Sequence, residues 1–216
     1  MEDNFVNFNQ FTGDDFGSHI QKSIPSYDRV FEICLNLSEY FLVGGKAVDV
    51  GCSDGRLLES LNKKGFNAIG IEPEHSFYDG LVSKGLNFVN YDAILYDFSD
   101  ADFVSIMFTL QFLPVKKRFI LIKKIADQLN VGGGVFIAEK NTSEYSDIND
   151  FNTSIYYQFK QESFTPDQIL EKEKNLRKIM RINTWNKTLN YLKEAGFSSV
   201  DVIWKDLNFT GFIAIK

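Results

Sequence analysis

Glycine and acidic residues in this chain follow short strand-like segments, an arrangement that could bind a polar ligand. Gly51 and Gly55 enclose a turn directly after segment 48–50, and leucines at helical spacing follow Gly55. Glycine permits backbone angles and a close ligand approach that larger residues resist. The N–H groups at a helix start have no partner within the helix, so they can hold a carboxylate or the oxygens of a sugar. The spacing G-x-x-x-G completes neither the dinucleotide fingerprint nor the phosphate-binding P-loop, and many α/β proteins form such a turn for structural reasons.

Acidic side chains end the next two segments. Glu72 follows segment 67–71, roughly 20 residues beyond the glycine turn, the offset at which an acidic side chain meets ribose hydroxyls. Asp92 follows segment 87–90 and is placed to accept a hydrogen bond from an exocyclic amine such as that of adenine. Structural interpretations stay open, because Glu72 could neighbour a helix N-cap and Asp92 could form a turn. Their placement after consecutive strands favours a ligand site.

The elements that must position these groups alternate between strand and helix. We expect an α/β fold with a doubly wound, mostly parallel sheet of seven strands. Ligands of such sheets bind outside the carboxyl ends of the strands. Too few residues separate the last two strands for a crossover helix, so they should be antiparallel. The expected strands are 48–50, 67–71, 87–90, 101–108, 135–138, 200–204 and 209–215, and the expected helices are 56–64, 75–84, 115–129 and 184–195.

Two polar or irregular stretches flank this alternating pattern. We expect a single domain spanning residues 1–216, with an N-terminal helical cap at 1–45. Within the cap, residues 1–18 form a tail or a covering loop, and a proline at position 25 splits the helical part that ends near Gly44-Gly45. Residues 140–183 form a helical insertion between strands five and six that packs over the active site.

The composition excludes several classes of function. The 216 residues include 44% hydrophobic ones, which suits a globular core. No apolar run is long enough to span a membrane, and two cysteines and two histidines offer little material for disulfides, a metal or a catalytic triad. The net charge of −6 gives no general attraction to nucleic-acid phosphates. We expect a cytoplasmic protein without a metal, and a solvated basic face on one helix, formed by Lys116, Lys117, Arg118, Lys123 and Lys124.

Taken together, these features resemble the class I S-adenosylmethionine-dependent methyltransferases. That family shows an apolar-Asp-apolar-Gly-Cys-x-x-Gly motif, an acidic residue ending strand two, an Asp after strand three and a reversed last strand. The resemblance covers residues 49–216 and implies a Rossmann-like fold that binds S-adenosylmethionine. It places Asp49 and the glycine turn near the methionine part, Glu72 on the ribose and Asp92 on the adenine. The full set of expected cofactor-binding residues is Tyr27, Asp49, Gly51, Cys52, Ser53, Gly55, Glu72, Pro73, Asp92, Ala93 and Met107.

A narrower resemblance is to the carboxy-S-adenosylmethionine synthases of the tRNA wobble-uridine pathway. It rests on segments 20–27, 108–113, 129–133, 139–140 and 208–209. The resemblance implies that Tyr27 closes over the cofactor and that the insertion helps to form a homodimer. Two positions depart from that family's pattern: Met107 stands where it has an asparagine, and Glu173 where it has the arginine that meets the extra carboxylate of the carboxylated cofactor.

Three functions follow from these resemblances. The first is methyl transfer from S-adenosylmethionine to an unknown small or tRNA-linked acceptor, with Tyr156, Tyr157 and Arg177 as acceptor contacts. Its main requirement is alignment of the acceptor, so no catalytic residue is assigned. The second is synthesis of carboxy-S-adenosylmethionine from prephenate, and the third is cofactor binding without turnover.

Overall fold

The computed structural model describes residues 16–42 and 44–216. The tail or loop expected at residues 1–18 therefore lies outside the described residues, except at 16–18, which are helical instead. Eight helices are described: α1 (Phe16–Gln21), α2 (Tyr27–Phe41), α3 (Arg56–Lys63), α4 (Tyr78–Ser83), α5 (Val115–Gln128), α6 (Ser146–Gln161), α7 (Pro166–Ile179) and α8 (Trp185–Ala195). Eight strands are described in the same ranges: β1 (Lys46–Val50), β2 (Asn67–Ile71), β3 (Phe88–Val89), β4 (Ala101–Met107), β5 (Gly134–Thr142), β6 (Asn183–Thr184), β7 (Ser199–Asp206) and β8 (Phe209–Ile215).

The strands form one mixed sheet in the order β3-β2-β1-β4-β5-β8-β7. Strands β1 to β5 pair in parallel, whereas β8 is antiparallel to both β5 and β7. This order confirms the doubly wound sheet of seven strands and its reversed last strand. It also brings the carboxyl ends of β1, β2 and β4 to one edge, next to the start of β8.

The short strand β6 is an addition that the sequence did not predict. β5 runs four residues beyond its expected end at position 138, and its last two residues pair in parallel with β6. The paired residues are Asn141 with Asn183 and Thr142 with Thr184. Because these residues are polar, they carry none of the apolar pattern from which strands are predicted.

Apolar side chains pack against both faces of the sheet. Along β4, Phe103 points into the core beneath α2 and α3, and the next residue, Val104, points into the core beneath α5 and α8. Neighbouring strand residues face opposite sides, so a central strand needs apolar side chains throughout. Each fully buried Leu, Ile or Phe contributes about 1.5–3 kcal/mol to stability. These two layers fix the edge where the polar groups stand.

Helix ends follow local sequence signals with two differences from expectation. The expected helix 75–84 begins as a 3-10 turn at His75–Phe77, so α4 covers only Tyr78–Ser83. The start of α7 has a capping box, in which the side chains and backbones of Thr165 and Gln168 bond reciprocally, and Pro166 is its first residue. The end of α2 comes at Phe41, before the predicted glycine pair, and the Leu42 N–H bonds to the Ser38 carbonyl. No helix within the described ranges is both long and apolar enough to cross a lipid bilayer.

The predicted basic face of α5 is wrong at Arg118, whose side chain is fully buried. It shares a helix face with the buried residues Leu121, Ile122 and Ile125, so helical periodicity turns it inward. Its guanidinium donates to the carbonyls of Leu113 and Gln111, each at 3.0 Å, and to that of Arg181. Arg118 therefore ties the turn after β4 to the end of the segment that carries α6 and α7.

We predict that Arg118→Met lowers the free energy of unfolding by about 3 kcal/mol, because it removes three hydrogen bonds from a charged donor that join these segments. Urea unfolding followed by circular dichroism measures the change. Lys116→Met is the matched control, since Lys116 is exposed on the same helix, and it should lie within about 0.5 kcal/mol of the wild type. Equal stabilities of the two variants would contradict the bridging role of Arg118.

Candidate functional site

The glycine turn after β1 is shaped by its neighbours on both sides. Gly51 has φ 75° and Gly55 has φ 77°, in the left-handed region that favours glycine. A Cβ on Gly51 would lie 2.3 Å from Thr109 Oγ1, so only glycine lets the turn approach the segment after β4. The Gly51 N–H bonds to the Ile71 carbonyl at 2.8 Å, which joins the turn to the end of β2.

Glu72 holds the turn from the end of β2. The residue is only 5% exposed, and its two carboxylate oxygens accept the N–H groups of Ser53, at 2.8 Å, and Glu74, at 2.9 Å. Ser53 adopts a left-handed φ of 49°, which points its N–H at this carboxylate. Burial raises the pKa of Glu72 to about 7, and the two N–H bonds oppose that rise. Each carboxylate oxygen can accept a further hydrogen bond.

Asp49 lies one strand further into the sheet, beneath the turn. It is buried, pairs in register with Gly70 and Ser105, and accepts the Ser105 hydroxyl at 2.6 Å. Burial raises the pKa of Asp49 to about 6, against the lowering effect of this hydrogen bond. Asp49 and Glu72 are therefore two acidic groups that burial makes easier to protonate.

Cys52 is packed inside the turn. Its side chain is buried, and burial raises the pKa of its thiol. A Cβ on Gly70 would meet its sulfur at 2.4 Å, so Cys52 fills the space above that glycine. A buried thiol with a raised pKa is not a reactive nucleophile.

Aromatic rings line the site from the turn to β8. The Tyr27 ring centroid lies 6.0 Å from that of Phe108, which lies 6.2 Å from that of Phe209, which lies 5.5 Å from that of Tyr156. The Arg56 guanidinium carbon is 5.4 Å from the Tyr27 ring centroid, which links this wall to the start of α3. Phe108 has a positive φ of 56°, and its N–H donates to the Ala138 carbonyl. Strained backbone of this kind often marks functional segments.

The residues expected on the adenine side lie at the same edge but make different contacts. Glu72 N donates to the Val89 carbonyl at 3.0 Å, so the ends of β2 and β3 are joined. Asp92 is exposed; one oxygen accepts the Ile94 N–H at 3.0 Å, and the other pairs with Lys117 of α5 at 3.1 Å. These contacts match the turn-forming interpretation of Asp92. Ala93 is buried in the core, and Pro73 is half-buried.

The predicted acceptor contacts surround an ion pair that the sequence did not predict. Lys140, at the end of the buried part of β5, pairs with Glu173 of α7 at 3.5 Å, and Arg177 approaches the same carboxylate at 3.6 Å. The Lys140 ammonium lies 4.6 Å from the centroid of the Tyr156 ring. Burial lowers the pKa of Lys140, and the nearby Glu173 opposes that effect.

The two tyrosines differ in their surroundings. Tyr156 is buried and donates its hydroxyl to the Ser23 carbonyl at 2.9 Å, which joins α6 to the turn before α2. Tyr157 is half-buried; burial raises the pKa of its hydroxyl, and the nearby Arg177 opposes that rise. Arg177 keeps 76% of its side chain exposed.

The structure thus brings most of the expected residues into two neighbouring groups. The first contains Asp49, Gly51, Cys52, Ser53, Gly55, Glu72 and Pro73, and the second contains Tyr156, Tyr157 and Arg177. Tyr27 and Met107 lie between these two groups, where both are close to Phe108. Met107 is half-buried and ends β4. Phe108, Phe209 and Lys140 were not assigned as site residues, although each stands at a strand end in a segment that carried the narrower resemblance. No group of three or more His, Cys, Asp or Glu side chains that could hold a metal is found among the described residues.

Comparison with known proteins identifies the family. A family model described as "Methionine biosynthesis protein MetW" matches residues 32–141, about half of the chain. The carboxy-S-adenosyl-L-methionine synthase of Staphylococcus epidermidis is 29% identical over 230 residues, covering 98% of this chain and 100% of that protein. The enzyme of the same name from Nautilia profundicola is 30% identical over 211 residues, covering 93% and 90%.

Solved structures support the fold. A SAM dependent methyltransferase from Archaeoglobus fulgidus superposes with a TM-score of 0.62 at 18% identity, covering 88% of this chain and 94% of that one. A possible histamine N-methyltransferase from Thermotoga maritima gives a TM-score of 0.57 at 18% identity, covering 88% and 94%. The chain belongs to the class I S-adenosylmethionine-dependent methyltransferase family, together with the carboxy-S-adenosyl-L-methionine synthases that it resembles over nearly its full length.

Proposed function

We propose that the protein binds S-adenosylmethionine at the carboxyl edge of the sheet and transfers its methyl group to a small or tRNA-linked acceptor. The observation that carries this proposal is the buried Glu72 carboxylate, fixed by the N–H groups of Ser53 and Glu74 at the glycine turn. An acidic group held in this way, with an acceptor position left on each oxygen, suits the two hydroxyls of a ribose.

The residues present fit the parts of that cofactor. The methionine part would lie against the turn at Gly51, which carries no side chain and is close to Thr109. The buried Asp49 is next to this turn. Asp92, Ala93 and Pro73 follow β2 and β3, and we assign them to the adenine side. Met107, which precedes Phe108, and Tyr27, whose ring contacts that of Phe108, stand between this cradle and the aromatic rings of Phe209 and Tyr156.

When bound, S-adenosylmethionine supplies a methyl carbon that its sulfonium already makes electrophilic. The protein's task is then to align the acceptor and exclude water. The rings of Tyr27, Phe108, Phe209 and Tyr156 form an apolar wall for this purpose. Tyr157 and Arg177 are the proposed polar contacts of the acceptor at the outer end of that wall.

Glu173 favours methyl transfer over carboxylation of the cofactor. In the carboxy-S-adenosylmethionine synthase pattern, an arginine occupies this position. Here a carboxylate stands there, already paired with Lys140 and Arg177. The Glu173 carboxylate would repel a second carboxylate, whereas an arginine would bind it through bidentate hydrogen bonds.

Synthesis of carboxy-S-adenosylmethionine from prephenate is the second candidate, because relatives of that name align over nearly the full chain. Under that alternative the protein acts in tRNA modification. Binding of the cofactor without turnover is the third candidate. The mass of the nucleoside product after incubation with S-adenosylmethionine and prephenate distinguishes the first two.

We predict that Glu72→Ala weakens S-adenosylmethionine binding by about 1.5–3 kcal/mol, roughly 10- to 150-fold, through loss of charge-assisted hydrogen bonds to the ribose. Isothermal titration calorimetry measures the affinity. Glu32→Ala is the control, since Glu32 is an exposed residue of α2 that pairs with Arg29, and its affinity should equal that of the wild type. Unchanged affinity in Glu72→Ala would show that the ribose assignment is wrong.

We also predict that binding depends on pH around the raised pKa of Glu72. The carboxylate is mostly ionised at about pH 8 and mostly protonated at about pH 6, so affinity should fall about tenfold between them. Methylthioadenosine is the preferred probe, because it carries the ribose and adenine without a titratable amino acid. Glu72→Ala should lose most of this dependence. Equal affinity of the wild type at the two pH values would rule out an ionised Glu72 as the ribose acceptor.

We further propose that the protein acts in the cytoplasm as a homodimer, assembled through α6. Ile148, Phe151 and Ile155 are 45%, 66% and 49% exposed and recur at helical spacing on that helix. An exposed apolar stripe of this kind is typical of protein–protein contacts.

The dimer is tested by sedimentation of the wild type and Phe151→Lys. We expect a wild-type dimer at high micromolar concentration and a dissociation constant raised about tenfold or more in the variant, because a charge is buried at the contact. Val131→Lys is the control, since Val131 is 91% exposed in the turn before β5. A monomeric wild type, or an unaffected Phe151→Lys, would contradict assembly through α6.

A further inference from the structure

An exposed basic stripe, formed by Lys174, Arg177, Lys178 and Arg181, runs along the C-terminal half of α7 and the residues just after it. Steps of three and four positions relate these residues, which places their side chains on one side of the helix. All four are exposed, and Arg177 keeps 76% of its side chain in solvent. Segment 172–187 contains six basic residues and one acidic residue, in a chain with a net charge of −6. Concentrated positive charge thus stands on the surface of an acidic protein.

The other basic helix, α5, does not present its charge in this way. Its Arg118 is buried, Lys117 pairs with Asp92 at 3.1 Å, and Lys123 pairs with Asp127. Burial and ion pairs therefore compensate much of the positive charge of α5, whereas the stripe on α7 needs a separate explanation.

The charges of the stripe lack acidic partners. Within residues 16–42 and 44–216, no carboxylate forms an ion pair with Lys174, Lys178 or Arg181. The Lys178 ammonium donates to the side-chain oxygen of Asn175 at 3.2 Å, and the Arg181 guanidinium donates to the Arg177 carbonyl at 2.7 Å. Basic residues also stabilise the C-terminal end of a helix, but that effect falls off within the last turn and does not extend to Lys174.

The stripe borders the acceptor end of the proposed active site. Arg177 is a proposed acceptor contact and pairs with Glu173, which also pairs with Lys140 of β5. At the end of the stripe, the Arg181 N–H donates to the Gln111 carbonyl at 3.0 Å, in the segment after β4. A long anion bound along the stripe would therefore lie next to the place where the methyl acceptor is expected.

We infer that this stripe binds the phosphate backbone of an RNA that carries the methyl acceptor. The inference rests on the proposed function and narrows its acceptor to an RNA-linked one. Successive cations along one side of a helix fit a chain of negative charges, and such contacts supply affinity and orientation without reading the sequence. A membrane surface fits less well, because a membrane-binding helix exposes an apolar face, and Leu176 and Ile179 in this half of α7 are half-buried.

Binding of labelled total tRNA to the full chain tests the inference, with fluorescence anisotropy as the readout over a range of salt concentrations. If the stripe contacts about three or four phosphates, the logarithm of the binding constant should fall against the logarithm of the salt concentration with a slope of about −2 to −4. Lys174→Gln combined with Lys178→Gln should weaken binding about tenfold or more at low salt and reduce the slope by about 2, because two phosphate contacts are lost.

Lys63→Gln combined with Lys193→Gln is the matched control, and its affinity and slope should stay close to those of the wild type. It removes the same charge from the last turns of α3 and α8, two helices that run away from the carboxyl edge of the sheet. Unlabelled tRNA should displace the probe at lower concentrations than duplex DNA or polyglutamate, because the acceptor nucleotide adds contacts at the active site. Equal competition by either of these polyanions would overturn the assignment to RNA.

Calorimetry with S-adenosylmethionine separates this inference from the proposed function. The variant with Lys174→Gln and Lys178→Gln should bind the cofactor as the wild type does, because both lysines are on α7, whereas the proposed cradle is at the ends of β1 and β2. A wild type that binds S-adenosylmethionine but no tRNA would overturn the inference alone, and one that binds neither would overturn both. Equal losses of tRNA affinity in the variant and in the control would also overturn the inference.

Discussion

The buried carboxylate of Glu72 is the contact on which the proposed cofactor site depends. It receives the N–H of Ser53 from the glycine turn and the N–H of Glu74 from the segment after β2. These bonds fix the left-handed Ser53 and hold the turn against the sheet, while Gly51 lets Thr109 approach from the other side. Burial of an acidic group costs stability, and acidic groups with pKa values raised by burial are concentrated at functional sites.

Much of the sheet could be predicted from the sequence because its parallel strands are buried on both faces. β2 was predicted to the residue, and the antiparallel end followed from the short connection between β7 and β8. The residues of β6 and their partners in β5 are polar and show no apolar pattern, so β6 was not predicted. Arg118 was misplaced because a charged residue is normally solvated, and its helix face and its three carbonyl partners explain its burial.

The candidate site was predictable in position more than in detail. The residues after β1 and β2 stand at strand ends, so the doubly wound order alone brings them together. The contacts of Glu72 depend on the φ of Ser53, and the pairing of Lys140 with Glu173 depends on how α7 packs over β5. Sequence spacing carries neither piece of information. Glu173 of α7 is also one of the two positions where this chain departs from the carboxy-S-adenosylmethionine synthase pattern, the other being Met107 at the end of β4.

The central claim is that the edge around Glu72 holds S-adenosylmethionine as a methyl donor. Mass spectrometry of the nucleoside that co-purifies with the protein tests this claim most directly. We expect the mass of S-adenosylmethionine, or of the demethylated product, in the wild type and its loss in Glu72→Ala. A nucleoside heavier by one carboxyl group would instead support the carboxylated cofactor. A dinucleotide, or no nucleoside even after incubation with excess S-adenosylmethionine, would contradict the account.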